Sequence, residues 1–307
     1  MLLTIDENLI DQDTCPVCGG DGIVIDTINT INPSSNKKID LVECALCKHW
    51  WHNKLPNQKL LNDLYQSGSE YVVPATYAKA VVTKPSKNID DLLFEKIFNQ
   101  LSSYSNKISS TKKSFNYLEL GIGSGHMFDF FSKKANVSYG VEPGKWVLSE
   151  NQNIISDVKE TPTDIKFDLI VASDVLEHLS NPTNMLSTLR GFAGNDGIIY
   201  CTFPNKDSLK AQIQKGGWHM VRPFGHLHYF SAQSIKNTFK KSGWKIVKMR
   251  KRRIADSSIL DLIKKFDTSS KNILYRLVKS LLVGQILLGK DQWSVIALND
   301  KEMSNYF

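Results

Sequence analysis

The amino-acid sequence predicts an α/β protein: one open, doubly wound sheet with a small cysteine-rich head in front of it. Three observations predict this. Two Cys-x-x-Cys pairs, Cys15 with Cys18 and Cys44 with Cys47, lie near the N-terminus. A short apolar run ending at Leu120 breaks into Gly121, Gly123 and Gly125 and then continues with helical spacing. Further apolar runs recur at the spacing of alternating strands and helices. A chain of 307 residues, 41% of them hydrophobic, can bury one sizeable core and a satellite, since domains commonly run about 100 to 200 residues.

The first residues include Asp6, Glu7, Asp11 and Asp13 and lack the basic start and apolar stretch of a signal peptide. No run approaches the roughly 18 to 20 apolar residues of a membrane span, so the expected location is cytoplasmic. Two cysteine knuckles flanking a hairpin-like stretch bring four thiolates to tetrahedral geometry, and Gly19 and Gly20 let backbone amides turn toward sulfur. Zinc is the natural occupant, in a structural role because the protein supplies all four ligands. A rubredoxin-like iron site shares the four-sulfur preference; disulfides are the competing pairing, disfavoured without a secretion signal. After the second knuckle comes K-H-W-W-H-N-K-L-P, Lys48 to Pro56, in which His49 and His52 read as loop or packing residues because four cysteines already complete the site. Gln58 to Tyr65 then carries Leu60, Leu61 and Leu64 at helical spacing. Residues 1–70 are expected to form this head and its helix.

Residues 71–114 are expected to link head to core. Tyr71 to Lys87, with Pro74, Pro85 and several lysines, reads as a connecting or lid segment. Ile89 to Leu101 reads as an amphipathic helix through Ile89, Leu92, Leu93, Ile97 and Phe98, and Ser102 to Ser114 as polar loop.

The core is expected to fill 115–307. Tyr117 to Leu120 is a strand, the glycines a tight turn where backbone can approach a ligand, Met127 to Lys134 a helix, and Val137 to Val141 the next strand, with Glu142 at its end. An acid about 20 residues past such a turn is placed to accept hydrogen bonds from both ribose hydroxyls. Alternating glycines depart from the dinucleotide spacing G-x-G-x-x-G, which favours a nucleoside ligand without a pyrophosphate. Glu119 and Asp174, each next to a strand end, join Gly121, Gly123, Gly125 and Glu142 as the candidate ligand-binding set, whereas Asp168 reads as structural. Phe167 to Ser173 is a buried strand leading directly into D-V-L-E-H-L, Asp174 to Leu179. Ile198 to Phe203 is the next, closed by Pro204 and Asn205, with Cys201 inside it as a small buried hydrophobe. H-L-H-Y-F-S follows at His226 to Ser231, then a helix ending near Ser242-Gly243-Trp244 and a strand over Lys245 to Met249. A helical insertion at 257–288 precedes the final strand, Trp293 to Leu298.

With these motifs in this order, the chain resembles the class I S-adenosylmethionine-dependent methyltransferases over roughly Asn88 to Arg250. It is similar to the large bacterial small-molecule group whose acceptors include quinone precursors and nucleotide sugars. The resemblance implies a Rossmann-like sheet, S-adenosylmethionine as cofactor and methyl transfer as the reaction. The cysteine head likewise resembles the zinc-binding head of some of these enzymes, particularly those acting on nucleotide-linked sugars.

Methyl transfer from a sulfonium is an in-line displacement, so the acceptor atom must be held against the methyl group with water excluded; positioning alone contributes about 7 to 11 kcal/mol in favourable cases. An alcohol acceptor must also lose a proton, and a histidine base adds about 10² to 10⁴ in rate. The candidates are His178, His226 and His228. His178 follows a strand on the side where open sheets bind ligands, and His226 and His228, alternating around Leu227, would share one face of an extended segment. Arg222, in the aromatic-rimmed stretch Trp218 to His226, is suited to grip a phosphate or carboxylate. The expected partner is a small acceptor, anionic or nucleotide-linked.

The net charge of +7 comes from 38 Lys and Arg against 31 Asp and Glu. Most of the lysines are dispersed, and the one dense run, Lys248 to Arg253, reads as a solvated face, with an anionic partner as the alternative. An RNA methyltransferase with a zinc head is the second hypothesis; against it, S-D-V-L-E-H lacks the Asn-Pro-Pro-aromatic signature and aromatics do not interleave with the basic run. A noncatalytic cofactor-binding protein is the third, and Glu142 argues against it.

Overall fold

A computed structural model describes residues 8–29, 38–66, 87–108, 114–144, 151–252 and 290–299. The head begins with β1 (Leu9–Asp11), then β2 (Gly22–Asn29), β3 (Lys38–Cys44), β4 (Trp50–His52), β5 (Lys54–Pro56) and helix α1 (Gln58–Gln66). β2 and β3 pair antiparallel from Gly22 opposite Cys44 to Asn29 opposite Lys38. β4 adds to β3, while β1 and β5 form a separate ribbon. Leu60, Leu61 and Leu64 are all buried, as helical spacing requires of one apolar face.

The core runs through α2 (Lys87–Ser102), β6 (Asn116–Leu120), α3 (His126–Ser132), β7 (Val137–Val141), β8 (Ile154–Ile155), β9 (Phe167–Ser173), α4 (Pro182–Phe192), β10 (Ala193–Pro204), α5 (Leu209–Gln214), β11 (His228–Tyr229), α6 (Ala232–Lys241), β12 (Trp244–Arg252) and β13 (Gln292–Asn299). Seven of these strands form one sheet in the order β12-β13-β10-β9-β6-β7-β8. It is parallel from β10 to β8, and β13 lies antiparallel between β10 and β12. The chain therefore steps outward from β6 through β7 to β8, then returns to the other side of β6 for β9. That reversal leaves a crevice at the carboxyl ends of β6 and β9, the place where open α/β sheets hold ligands.

Both faces of the sheet are packed. Tyr117 of β6 stacks on Phe128 and Phe131 of α3 with ring centroids 5.9 and 5.3 Å apart; a fully buried Phe contributes about 1.5 to 3 kcal/mol. Among the described side chains of α2 the buried ones are Phe94, Ile97, Phe98 and Leu101, a single stripe at i, i+3, i+4 and i+7. Leu92 and Leu93, expected on the core face, are instead 64% and 37% exposed, because that stripe turns them away. Lys248 to Arg252 of the basic run sit in β12 at the sheet edge, where Lys248 and Lys251 lie over the rings of Tyr104 and Trp293. Of the expected connecting segment, Tyr71 to Lys87, residues 71–86 lie outside the described residues, as does the insertion (257–288), and Lys87 already opens α2.

Head and core pack as one unit. The core supplies β11 to the head, giving a four-stranded sheet in the order β11-β4-β3-β2, with His228 opposite Trp51 and Tyr229 opposite Trp50. Lys206 of the core bridges to Glu43 of the head at 3.2 Å and lies over the Trp50 ring. Ser231 Oγ donates to the Cys47 carbonyl and Lys241 Nζ to the Val17 carbonyl, both at 2.6 Å. Cys15, Val17, Cys44 and Cys47 belong to the same apolar cluster as Phe230 and Trp244. Among the described residues no helix is long and apolar enough to cross a membrane.

Candidate functional site

The glycine turn sits at the end of β6. Gly121, Gly123 and Gly125 have φ of +72°, +55° and +89°, conformations that glycine adopts without a Cβ clash. At Gly121 packing adds a second requirement, since a Cβ there would fall 2.4 Å from Val175 Cγ2. The Gly121 amide donates to the Val141 carbonyl at 2.8 Å and fastens the turn to the end of β7. Glu142 follows directly, and its two carboxylate oxygens accept the amides of Gly123 and Gly144, each at 2.9 Å. A carboxylate offers about four lone-pair sites, so two remain for hydroxyl donors such as those of a ribose. Burial pushes the Glu142 carboxyl up, and the two amide bonds oppose that shift.

The other acids of the candidate set are held differently. Glu119 is buried and accepts the hydroxyl of Tyr117; desolvation pushes it up to about 8. Asp174, with φ +56°, accepts from Gln292 Nε2 at 2.5 Å and Thr202 Oγ1 at 3.2 Å, and so is tied to β13 and β10. Asp168 accepts the Asn116 amide and Lys107 Nζ, both at 3.0 Å, linking β9 to β6 as a structural residue.

After β9 a single turn of 3₁₀ helix, Leu176–His178, carries Glu177 and His178. His178 Nδ1 bonds the Gly225 carbonyl at 2.6 Å, and His226 Nδ1 bonds the Met220 carbonyl at 2.8 Å. The two rings meet edge to face with centroids 4.8 Å apart. A neutral ring whose Nδ1–H is given to a carbonyl keeps its lone pair on Nε2. Desolvation draws His178 down to about 4 and His226 well below its ordinary value, so both are neutral at pH 7. Arg222 is half-buried in the same loop and has no carboxylate partner among the described residues. Burial lowers its pKa, and its charge in turn lowers those of His178 and His226.

His228 does not join this group. It lies in β11, where its Nδ1 meets His49 Nε2 at 3.1 Å, and its own Nε2 is buried without a hydrogen-bond partner. The expectation that His226 and His228 share a face fails because only His228 and Tyr229 are extended, whereas His226 closes a turn through its amide to the Arg222 carbonyl, 2.9 Å. His49 and His52 are buried at the junction of head and core, His52 bonding the Tyr229 hydroxyl at 2.9 Å. Two residues escaped sequence reasoning. Glu177 is buried with Oε2 unpartnered, and Tyr65 of α1 stands edge-on to His178 with centroids 6.3 Å apart. The first was signalled by its place beside His178 in the post-strand motif; the second had no signal, since α1 and the turn after β9 meet only in three dimensions.

In the head, Cys15 Sγ lies 3.6 Å from Cys47 Sγ, and Cys18 Sγ lies 3.4 Å from both Cys44 and Cys47. A tetrahedral site with metal–sulfur bonds of about 2.3 Å has edges of about 3.8 Å, and a disulfide would need about 2.05 Å. The donor set thus fits a soft, four-coordinate ion with no open position. The Cys47 amide points at Cys44 Sγ, 3.4 Å away, as a knuckle requires. Cys201, the fifth free cysteine, is buried in β10, and burial pushes its thiol up.

A protein-family profile described as a methyltransferase domain matches residues 89–249. No curated protein matches the chain in sequence. Similar solved structures include a chain of the complex between the Haloferax volcanii Trm112 methyltransferase activator and a methyltransferase, at 11% identity and TM-score 0.49, covering 73% of this chain and 97% of that one. Another is Haemonchus contortus phosphoethanolamine N-methyltransferase 2 in complex with S-adenosyl-L-methionine, at 12% identity and TM-score 0.46, covering 90% of this chain and 71% of that one. A third is an Archaeoglobus fulgidus SAM-dependent methyltransferase, at 18% identity and TM-score 0.43, covering 67% and 94%. At these values the likenesses carry nothing about acceptor or partner.

Proposed function

The chain belongs to the methyltransferase-domain family and is an S-adenosylmethionine-dependent methyltransferase, and from that premise we propose that it methylates a small anionic acceptor, a sugar or nucleotide-sugar hydroxyl or carbon. Arg222 carries this proposal: a half-buried guanidinium without a carboxylate partner among the described residues, next to two neutral histidines at the ligand-binding edge of the sheet. Bound S-adenosylmethionine supplies an electrophilic methyl group on a positively charged sulfur. Gly121, Gly123 and Gly125 let backbone approach it, and Glu142 takes the ribose hydroxyls on its unused lone-pair sites. Arg222 grips a phosphate or carboxylate of the acceptor through two parallel N–H bonds. His226, with His178 beside it, takes the acceptor proton at Nε2. Tyr65 of α1, edge-on to His178, shields that ring from water on the head side. Glu119 and Asp174 act behind this surface, Glu119 bonded to Tyr117 within β6 and Asp174 tying the post-strand segment to β13. Zinc in the four-cysteine cluster holds the head, and with it β11, in place.

Purified protein with methyl-labelled cofactor should label nucleotide sugars when these are offered beside quinone precursors and bulk RNA. Label appearing in RNA alone would overturn the small-molecule assignment.

A further inference from the structure

Away from the cysteine cluster, a second set of ligand-bearing side chains converges. Glu177, His178 and His226 each offer a ligand atom, and the three atoms lie within 4.8 Å of one another. They come from two segments, the turn after β9 and the loop before β11, clamped together by the Leu227 amide donating to the Glu177 carbonyl at 2.7 Å. Both imidazoles give Nδ1 to a backbone carbonyl, at 2.6 and 2.8 Å. That is the outer support which orients a metal-binding histidine and leaves Nε2 as the ligand atom. Nε2 of neither ring has a hydrogen-bond partner among the described residues.

The ring geometry can be tested against an ion. Two imidazoles bound at about 2.1 Å have centroids about 3.2 Å from the metal, which places them about 4.6 to 5.3 Å apart for angles between octahedral and tetrahedral. The observed separation is 4.8 Å, with the planes at 76°. Glu177 supplies an independent sign. It is 1% exposed, and its Oε2 is buried with no hydrogen-bond partner among the described residues. A buried carboxyl with a bare oxygen costs free energy that a cation would recover.

We propose that Glu177, His178 and His226 hold a divalent transition-metal ion, a second centre distinct from the cysteine cluster, with open positions facing the acceptor. Two imidazole nitrogens and one carboxylate oxygen suit zinc, iron(II) or manganese, and three protein ligands leave coordination sites free. An acceptor carrying a hydroxyl next to a second oxygen donor would complete the shell, with Arg222 binding its anionic part. This acceptor-side role rests on the function proposed above and takes the place of proton acceptance by His226, whose Nε2 lone pair the ion would hold, the ion acidifying the bound hydroxyl so that its proton leaves to solvent; the ion site itself does not rest on that function.

Equilibrium dialysis of the full chain against cobalt(II), with elemental analysis and absorption spectra, tests the site. Wild-type protein should bind a second cobalt per chain beyond the thiolate-bound one, with weak visible bands and no added sulfur-to-metal charge transfer. Glu177→Gln and His226→Gln should each lose that second ion while still binding S-adenosylhomocysteine. A single ion per chain in saturated wild-type protein overturns the proposal, and so does a second ion that both variants retain. If either variant fails to fold, the wild-type count and spectrum decide alone. Turnover in the same samples separates the two claims. A second ion that binds as described without affecting methylation leaves the centre standing and removes its acceptor role. No second ion, with turnover still dependent on His226, removes the centre and leaves the acceptor assignment standing.

Discussion

Replacing Glu142 with alanine probes the nucleoside site most directly. Its oxygens each accept one backbone amide, from Gly123 and Gly144 at 2.9 Å, and about two lone-pair sites remain for ribose hydroxyls. A hydrogen bond to a charged group contributes about 1.5 to 3 kcal/mol net, and water filling the alanine cavity recovers part of what two such bonds supply. A loss of about 1.4 to 2.7 kcal/mol is expected, or about 10- to 100-fold weaker S-adenosylhomocysteine binding. Glu142→Gln should do nearly as much harm, because each oxygen serves a different amide and an NH₂ group cannot accept either. Titration calorimetry gives the dissociation constants, and thermal or urea unfolding gives an independent reading. With ligand at 100 times the wild-type Kd, wild-type protein gains about 2.7 kcal/mol, and a variant weakened 100-fold gains only about 0.4 kcal/mol at the same concentration. A folded Glu142→Ala protein with wild-type affinity would refute the ribose assignment.

The remaining predictions address the other parts of the site. Cys44→Ser should abolish the thiolate-bound metal in elemental analysis and lower acceptor turnover more than S-adenosylhomocysteine affinity, since β3 supports β4 and β4 supports β11; retention of the metal would count against the cluster. His226→Ala should reduce turnover by about 10² to 10⁴ with cofactor affinity intact, and wild-type kinetics would make its loop mere scaffold. Arg222→Ala should raise KM for an anionic acceptor with a smaller change in kcat, and an unchanged KM would remove the anion-gripping role. Desolvation holds Glu119 at about 8 against an ordinary 4.5, so the folded state keeps a proton that the unfolded chain has released. This contribution to stability is complete below the unfolded value and is lost as pH rises through the folded one. Glu119→Gln should therefore flatten the decline of urea midpoints across that window; parallel slopes would show that the carboxyl is not raised.

What was legible in the chain follows from how local each signal is. β7 and β9 match their expected ranges, Val137–Val141 and Phe167–Ser173, and in β9 Leu169 to Ala172 form the unbroken apolar stretch that a strand buried on both faces needs. The cysteine cluster was legible from spacing alone, since each knuckle brings its own two sulfurs together. β12 begins at Trp244 and runs to Arg252, past the expected Met249, because pairing with β13 extends it where side-chain pattern gives no signal. The separation of His226 from His228 was hidden for a similar reason. Alternation predicts facing only within a strand, and here the strand is made by Trp50 and Trp51, far back in the chain. Glu177 drew no reading of its own within D-V-L-E-H-L; only the folded chain shows that it is buried and brought together with two imidazoles.

The strand that the core lends to the head also imposes an order on synthesis. His52 and Tyr229, joined by a hydrogen bond, are 177 residues apart, and a ribosome adding about 5 to 20 residues per second takes about 9 to 35 s to cover that span. Throughout that interval the nascent head has its cysteines and its hairpin, but β4 is an open strand edge carrying two tryptophans that the finished protein buries. The emerging chain therefore passes through a sticky stage that ends only when His228 and Tyr229 arrive, and a pause in translation between the two segments prolongs it.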